Sequence, residues 1–186
     1  APAVGLGDLG VFPEVRARVG EGGAAQGEDQ RGDNGVGVEL YRINPGAPGT
    51  AQLVANIRTG NPNSFPQEFI EFAGGLYFRA DGPNGVELYR LTVDGSNVPT
   101  LTLIDINSGG SGSNSNPGGF AIFGDTLYFS AHDNDTGQNV GTELFRISAA
   151  DPTNPVLVAN INTGSGGSAD SNPRELTLFP VSSGST

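Results

Sequence analysis

The chain of 186 residues has no cysteine, no methionine, no tryptophan and no lysine. Without cysteine there is no disulfide framework, no thiol nucleophile and no zinc–thiolate centre. A single histidine, His132, offers no second ring for a transition-metal site and declares no partners for a Ser–His–acid triad. All nine basic residues are arginine, against 20 acidic ones, giving a net charge of −11. That balance opposes contact with phosphate backbones, so nucleic acid is not an expected partner. It favours cations, basic surfaces and salty water instead. No run approaches the roughly 20 apolar residues of a membrane-spanning helix, which predicts a soluble chain with no membrane span. Nor does any window carry an apolar period of 3.6, so no long helix is expected.

What the chain does have is glycine (30) and proline (13), clustered between short alternating apolar segments. Four such segments recur in fixed order. The first is LGVF 9–12, FIEF 69–72, FAIF 120–123 and LTLF 176–179. The second is VRARV 15–19, LYFRA 76–80 and LYFSA 127–131. The third is Gly-x-Glu-Leu-aromatic-Arg, at 37–42, 85–90 and 141–146, and the fourth is QLVANI 52–57, LTLIDI 101–106 and VLVANI 156–161. Each is rich in β-branched or aromatic residues and alternates with period two, which is strand chemistry. Gly, Pro and Asx clusters such as NPGAPG 44–49, VDGSN 93–97 and ADPTNP 150–155 supply the turns.

Four strands per unit of about 50 residues is the pattern of propeller blades, each of which buries its faces against its neighbours. The expected fold is therefore all-β: a propeller-like array of about three four-stranded blades in a single repeat domain. The units run approximately over 9–57, 69–106 and 120–161, with 176–179 a partial fourth unit or a closing strand. Three blades are few for a ring, since propellers have four to eight. Self-association, or further repeats of a longer parent chain, is the expected partner.

GVELYRLTVDGS at 85–96 resembles the ELWxxDGT repeat, with Tyr89 in place of the family's usual tryptophan. LYFRADGPNGVELYR 76–90 and LIDINSGGSGSNSNP 103–117 are similar to its flanking pattern, and the resemblance covers about 170 residues. The first unit departs from it, with VRARV for LYF and the insert GEGGAAQGEDQRGDNG. The Asp-Gly-Thr element is also altered in every unit. The resemblance implies a propeller-like fold in a large secreted or surface protein of bacteria, cyanobacteria among them, and implies no particular reaction. The acidic, cysteine-free, glycine-rich composition and the start APAVG, which fits a processed chain and an excised domain equally, point to the same secreted or cell-surface setting.

The recurring Glu39, Glu87 and Glu143 stand three residues from Arg42, Arg90 and Arg146, hence on opposite faces of a strand. A group present in every unit serves every unit, so structural ion pairs or hydrogen bonds between strands or blades are expected of them, rather than catalysis. Hard oxygen ligands gather in the loops before the glutamates. Asp133, Asp135 and Glu143 in the third unit, and Asp29 and Asp33 in the first, are candidate calcium ligands, although no loop completes the D-x-[DN]-x-[DN]-G pattern. Metal-free Asx turns account for the same residues. RGD at 31–33 is read as an exposed tripeptide of the insert, and His132 as a loop residue packed against Phe or Tyr. The Gly/Ser stretches 108–116 and 164–172 lack the Gly-Lys-Ser/Thr ending of a phosphate loop and are read as flexible connections. The expected function is a non-enzymatic scaffold or adhesion module that self-associates through blade faces and a terminal strand. A loop-based carbohydrate-binding propeller is the alternative, and a propeller hydrolase a more distant one.

Overall fold

The structure, a computed structural model, describes residues 38–44, 47–59, 63–109, 112–134, 140–163, 170–177 and 179. These form ten strands and no helix, so among them nothing helical is long and apolar enough to cross a membrane. Strands β1 (Leu40–Asn44) and β2 (Ala47–Ala55) pair as a two-stranded sheet. β3 (Gln67–Phe72), β4 (Gly75–Gly82), β5 (Gly85–Val93) and β6 (Pro99–Ile104) form a second sheet of four. β7 (Gly118–Phe123), β8 (Thr126–Asp133), β9 (Gly141–Ser148) and β10 (Asp151–Ala159) form the third. All pairing is antiparallel, and each strand lies beside its neighbour in sequence.

Local chemistry sets these meanders. Between β3 and β4, Phe72 pairs with Gly75 across a two-residue turn whose Ala73 and Gly74 both have positive φ, the combination that matches strand twist in a hairpin. Between β5 and β6, Asp94 Oδ1 accepts the backbone N–H groups of Ser96 and Val98 at 2.9 and 2.8 Å, an Asx turn. The glycine opening the second and third Gly-x-Glu phrases has a backbone reason. Gly85 and Gly141 have φ of +112° and +73°, and a Cβ on Gly85 would lie 2.5 Å from Asn114 Oδ1.

The period-two pattern gives the second sheet two apolar faces, and both are covered. One face carries Phe78, Ala80, Tyr89 and Leu91 and packs against Leu40 and Ile57 of the first unit. The other carries Phe72, Tyr77, Leu88, Ile104 and Ile106 and packs against Leu127, Phe129, Ala131, Phe145 and Ile147 of the third sheet. The Tyr77 hydroxyl crosses this second interface to donate to the Pro152 carbonyl at 2.6 Å. An aromatic ladder runs across three strands of each four-stranded sheet. Phe69, Phe78 and Tyr89 stack at centroid spacings of 5.2 and 5.9 Å, while Phe120 tilts against Phe129 at 5.7 Å and Phe129 stacks on Phe145 at 6.2 Å.

Three expectations meet residues outside the described set: the segments LGVF 9–12 and VRARV 15–19, and the RGD tripeptide. Of LTLF, Leu176, Thr177 and Phe179 are described and lie in none of the ten strands, and Phe179 is 81% exposed. His132 corrects its expectation. It belongs to β8, not to a loop, and its ring meets Thr142, Asn134 and Asp170 rather than an aromatic. Alternation decides this: Ala131 and Asp133 face inward, so His132 faces the polar side.

Phe129 sits fully buried where the second and third sheets meet, at the centre of its ladder. Phe129→Ala should therefore destabilise the fold by about 3–5 kcal/mol in urea denaturation. Val98→Ala, at an exposed position between β5 and β6, should shift stability by less than about 0.5 kcal/mol.

Candidate functional site

One polar arrangement is built three times around the recurring glutamates. Glu39, Glu87 and Glu143 are buried, at 2%, 0% and 0% exposure. A buried carboxylate is costly unless hydrogen bonds replace its water. Here backbone donors and one serine do so. Glu39 Oε2 accepts the N–H of Ile57 at 2.8 Å and the Ser64 hydroxyl at 2.6 Å, while Oε1 accepts the N–H of Arg58 at 3.4 Å. Glu87 accepts the N–H of Ile106 at 3.0 Å, the N–H of Ser115 at 2.8 Å and the Ser115 hydroxyl at 2.5 Å. Glu143 accepts the N–H groups of Ile161 and Asn162 at 3.0 and 3.4 Å and the Ser171 hydroxyl at 2.6 Å.

Each serine belongs to a short phrase, Asn63-Ser64-Phe65-Pro66, Asn114-Ser115-Asn116-Pro117 and Asp170-Ser171-Asn172-Pro173. The Asx residue accepts the backbone N–H of the residue before the glutamate: Val38 at 2.6 Å, Val86 at 2.7 Å and Thr142 at 2.6 Å. The carbonyl of that same residue accepts N–H groups from the serine and its successor in all three units. The successor takes positive φ each time: Phe65 +45°, Asn116 +44° and Asn172 +47°. A clamp of this kind gathers three passes of chain: the strand holding the glutamate, the exit from the outermost strand, and the entry to the next sheet. The Ser64 and Ser115 carbonyls then accept the N–H groups of Asp81 in β4 and His132 in β8, at 2.7 Å each, so two of the clamps also grip the following sheet.

The recurring arginines act elsewhere. Arg42 donates to Gln52 and to Asn97 of the β5–β6 turn. Arg90 donates to the Ala73 carbonyl and lies with Cζ 5.7 Å from the centre of the Tyr77 ring. Arg146 is exposed. Among the described residues, none of the three forms an ion pair with a repeated glutamate.

Of the candidate calcium ligands, Asp29, Asp33 and Asp135 lie outside the described residues. Asp133 is buried at the end of β8, and Glu143 spends both carboxylate oxygens within its clamp. Among the described residues, no three His, Asp or Glu side chains gather as a metal-binding group. Beside the second clamp an open polar cleft of about 550 Å³ is lined by Asn107, Asn114, Asn116, His132, Asn134 and Thr142, among others. His132 Nδ1 lies 3.3 Å from Thr142 Oγ1 and 3.6 Å from Asp170 Oδ1, and Nε2 lies 2.6 Å from Asn134 Nδ2. The Thr142 backbone N–H holds the Asp170 carboxyl below its usual range.

Comparison with protein-family models, curated proteins and solved structures finds no match. The Asx-Ser-x-Pro phrase is the part that reading the sequence missed. Its ends looked like ordinary Gly/Ser connections, yet residues 114–116 and 170–172 are held by side-chain and backbone bonds. The available signal was the serine's recurrence 25, 28 and 28 residues after each glutamate.

Burial pushes the Glu87 carboxyl up to about 7 from 4.5, against the pull of the Ser115 hydroxyl and the Ile106 and Ser115 N–H groups, with the charge of Asp105 adding to the rise. A raised carboxyl binds its proton more tightly in the folded state. Its contribution is therefore full below about pH 4.5 and declines as pH rises towards 7. The melting midpoint of the wild type should fall over that window relative to Glu87→Gln, which removes the titration; parallel curves would refute the assignment. Ser115→Ala should cost about 1–3 kcal/mol in urea denaturation, because it strips a donor from a buried acceptor.

Proposed function

We propose that the chain is a non-enzymatic extracellular scaffold or adhesion module, a propeller-like array whose sheets act as blades and self-associate through their faces and through residues 176–179. The observation that carries this reading is that the groups recurring in every unit are consumed by architecture. Glu39, Glu87 and Glu143 give their oxygens to backbone and serine donors, and Leu40, Leu88, Tyr89 and Phe145 beside them fill the spaces between sheets. A repeated carboxylate engaged in this way is unsuited to general acid–base work, which needs a group open to substrate. The ELWxxDGT-like phrases support the secreted or surface setting. Uncovered apolar residues on an outermost sheet support association, since such a face is stable when another sheet lies on it.

A second reading, carbohydrate binding through the loops, is favoured by the polar cleft. Asn107, Asn114, Asn116 and Asn134 with His132 and Thr142 offer the amide, ring and hydroxyl groups that pair with sugar hydroxyls. Its volume of about 550 Å³ suits one or two sugar rings. A glycan retained on an array by the wild type and lost from Asn134→Ala would put this reading first.

For the scaffold reading, light scattering of the native protein should give a mass above the 19.0 kDa of one chain. Deleting residues 175–186 should lower that mass. A single-chain mass across the accessible concentration range would remove self-association from the proposal.

A further inference from the structure

Five residues recur on one face of both four-stranded sheets. On the second sheet they are Phe72, Tyr77, Leu88, Arg90 and Ile106. On the third, by the same strand pairing, they are Phe123, Tyr128, Leu144, Arg146 and Ile161. The residue type is identical at all five positions. Their surroundings differ. Phe72, Tyr77, Leu88 and Ile106 are buried because the third sheet covers them. Among the described residues no sheet covers the second set: Ile161 is 56% exposed, and Val156, paired with Arg146, is 42% exposed. The first unit carries Leu40, Arg42 and Ile57 at the corresponding positions, and its leucine and isoleucine are buried against the second sheet. One face therefore serves twice as an interface, and the third time nothing among the described residues covers it.

The complementary half of that interface is present as well. Leu127, Phe129, Ala131, Phe145 and Ile147 of the third sheet cover the second; Phe78, Ala80, Tyr89 and Leu91 of the second meet the first unit. In the first unit Tyr41 stands where Tyr89 and Phe145 stand in the others. It pairs with Leu53, which is 43% exposed, and neither joins the cluster through which Leu40 meets the second sheet. The two halves thus lie on opposite ends of one chain.

The backbone beyond β10 is already shaped for a further sheet. Glu68, Gly119 and Glu175, each four residues after a clamp serine, have φ of +57°, +66° and +54°. In the first two units that residue sits in the irregularity by which β3 and β7 join their sheets. The Ser64 and Ser115 carbonyls each take an N–H from the sheet that follows, and Ser171 has no such donor among the described residues.

We propose that the bare face of the third sheet binds the first unit of a second copy of this chain, head to tail. This rests on the scaffold reading above and names its surfaces. The contact is heterologous, and two copies related by a half turn would close it on themselves. Each copy brings three sheets, so the closed pair would hold about six, inside the range of propeller rings. Tyr128 then takes the place of Tyr77, donating its hydroxyl to a carbonyl of the neighbouring copy.

The test uses two variants at exposed positions, whose far-ultraviolet circular dichroism spectra should match the wild type: Val156→Glu with Ile161→Glu on the third sheet, and Leu53→Glu on the first unit. Light scattering should give the wild type twice 19.0 kDa and each variant alone a single-chain mass. An equimolar mixture of the two variants should return to the doubled mass, because each supplies the face that the other lacks. A variant that keeps the wild-type mass, a mixture that stays at one chain, or a wild type that never doubles overturns the contact. A pair that survives both variants yet falls apart on deletion of 175–186 overturns this contact alone and leaves the scaffold reading standing.

Discussion

A carboxylate buried without a cation is the constraint around which this molecule is arranged. In each unit a glutamate carries its carboxyl group into a dry interior, where the penalty for desolvation is large. Arginine stands three residues away in sequence but on the other face, so the carboxyl oxygens are met by peptide N–H groups and a serine hydroxyl. Such donors are fixed to the main chain. Satisfying the carboxylate therefore positions backbone, whereas an ion pair would position only two side chains. The strand register, the exit from the outer strand and the approach to the next sheet are set by one side chain at once.

The sheets need this because their faces are generic. Leu, Phe, Tyr and Ile on one sheet meet much the same residues on the next, and apolar contact alone is non-directional. Two four-stranded sheets could slide by a residue pair at little loss of buried area. The clamps remove that freedom by joining each sheet to the segment that opens its successor, with Ser64 and Ser115 bonded to both sides. The Tyr77 hydroxyl on Pro152 adds a second directional tie across the same interface.

Much of this was legible in the sequence. Period-two alternation in LYFRA and LYFSA gives strands whose inward and outward residues agree with the packing of Phe78 and Tyr77. The opposite-face placement of Glu87 and Arg90 also follows from spacing alone. What alternation does not contain is the identity of a side chain's partner. Glu87 finds its serine 28 residues downstream, through two strands and a glycine-rich loop, and nothing local in NSNP distinguishes a clamp from a turn. His132 was misplaced because its neighbours Asp133 and Asn134 resemble loop chemistry, although the strand runs through Asp133. The difference lies in long-range geometry.

The chain between the isoleucine and the serine of each clamp differs in length from unit to unit. It runs from Ile57 to Ser64 in the first unit, from Ile106 to Ser115 in the second and from Ile161 to Ser171 in the third, growing while the bonds at both ends stay the same. Closing a longer flexible loop between fixed ends adds only about 0.6 kcal/mol per doubling. A foreign peptide grafted there would be displayed from a rigid base with the sheets on either side undisturbed, so the molecule has a built-in presentation point at every joint.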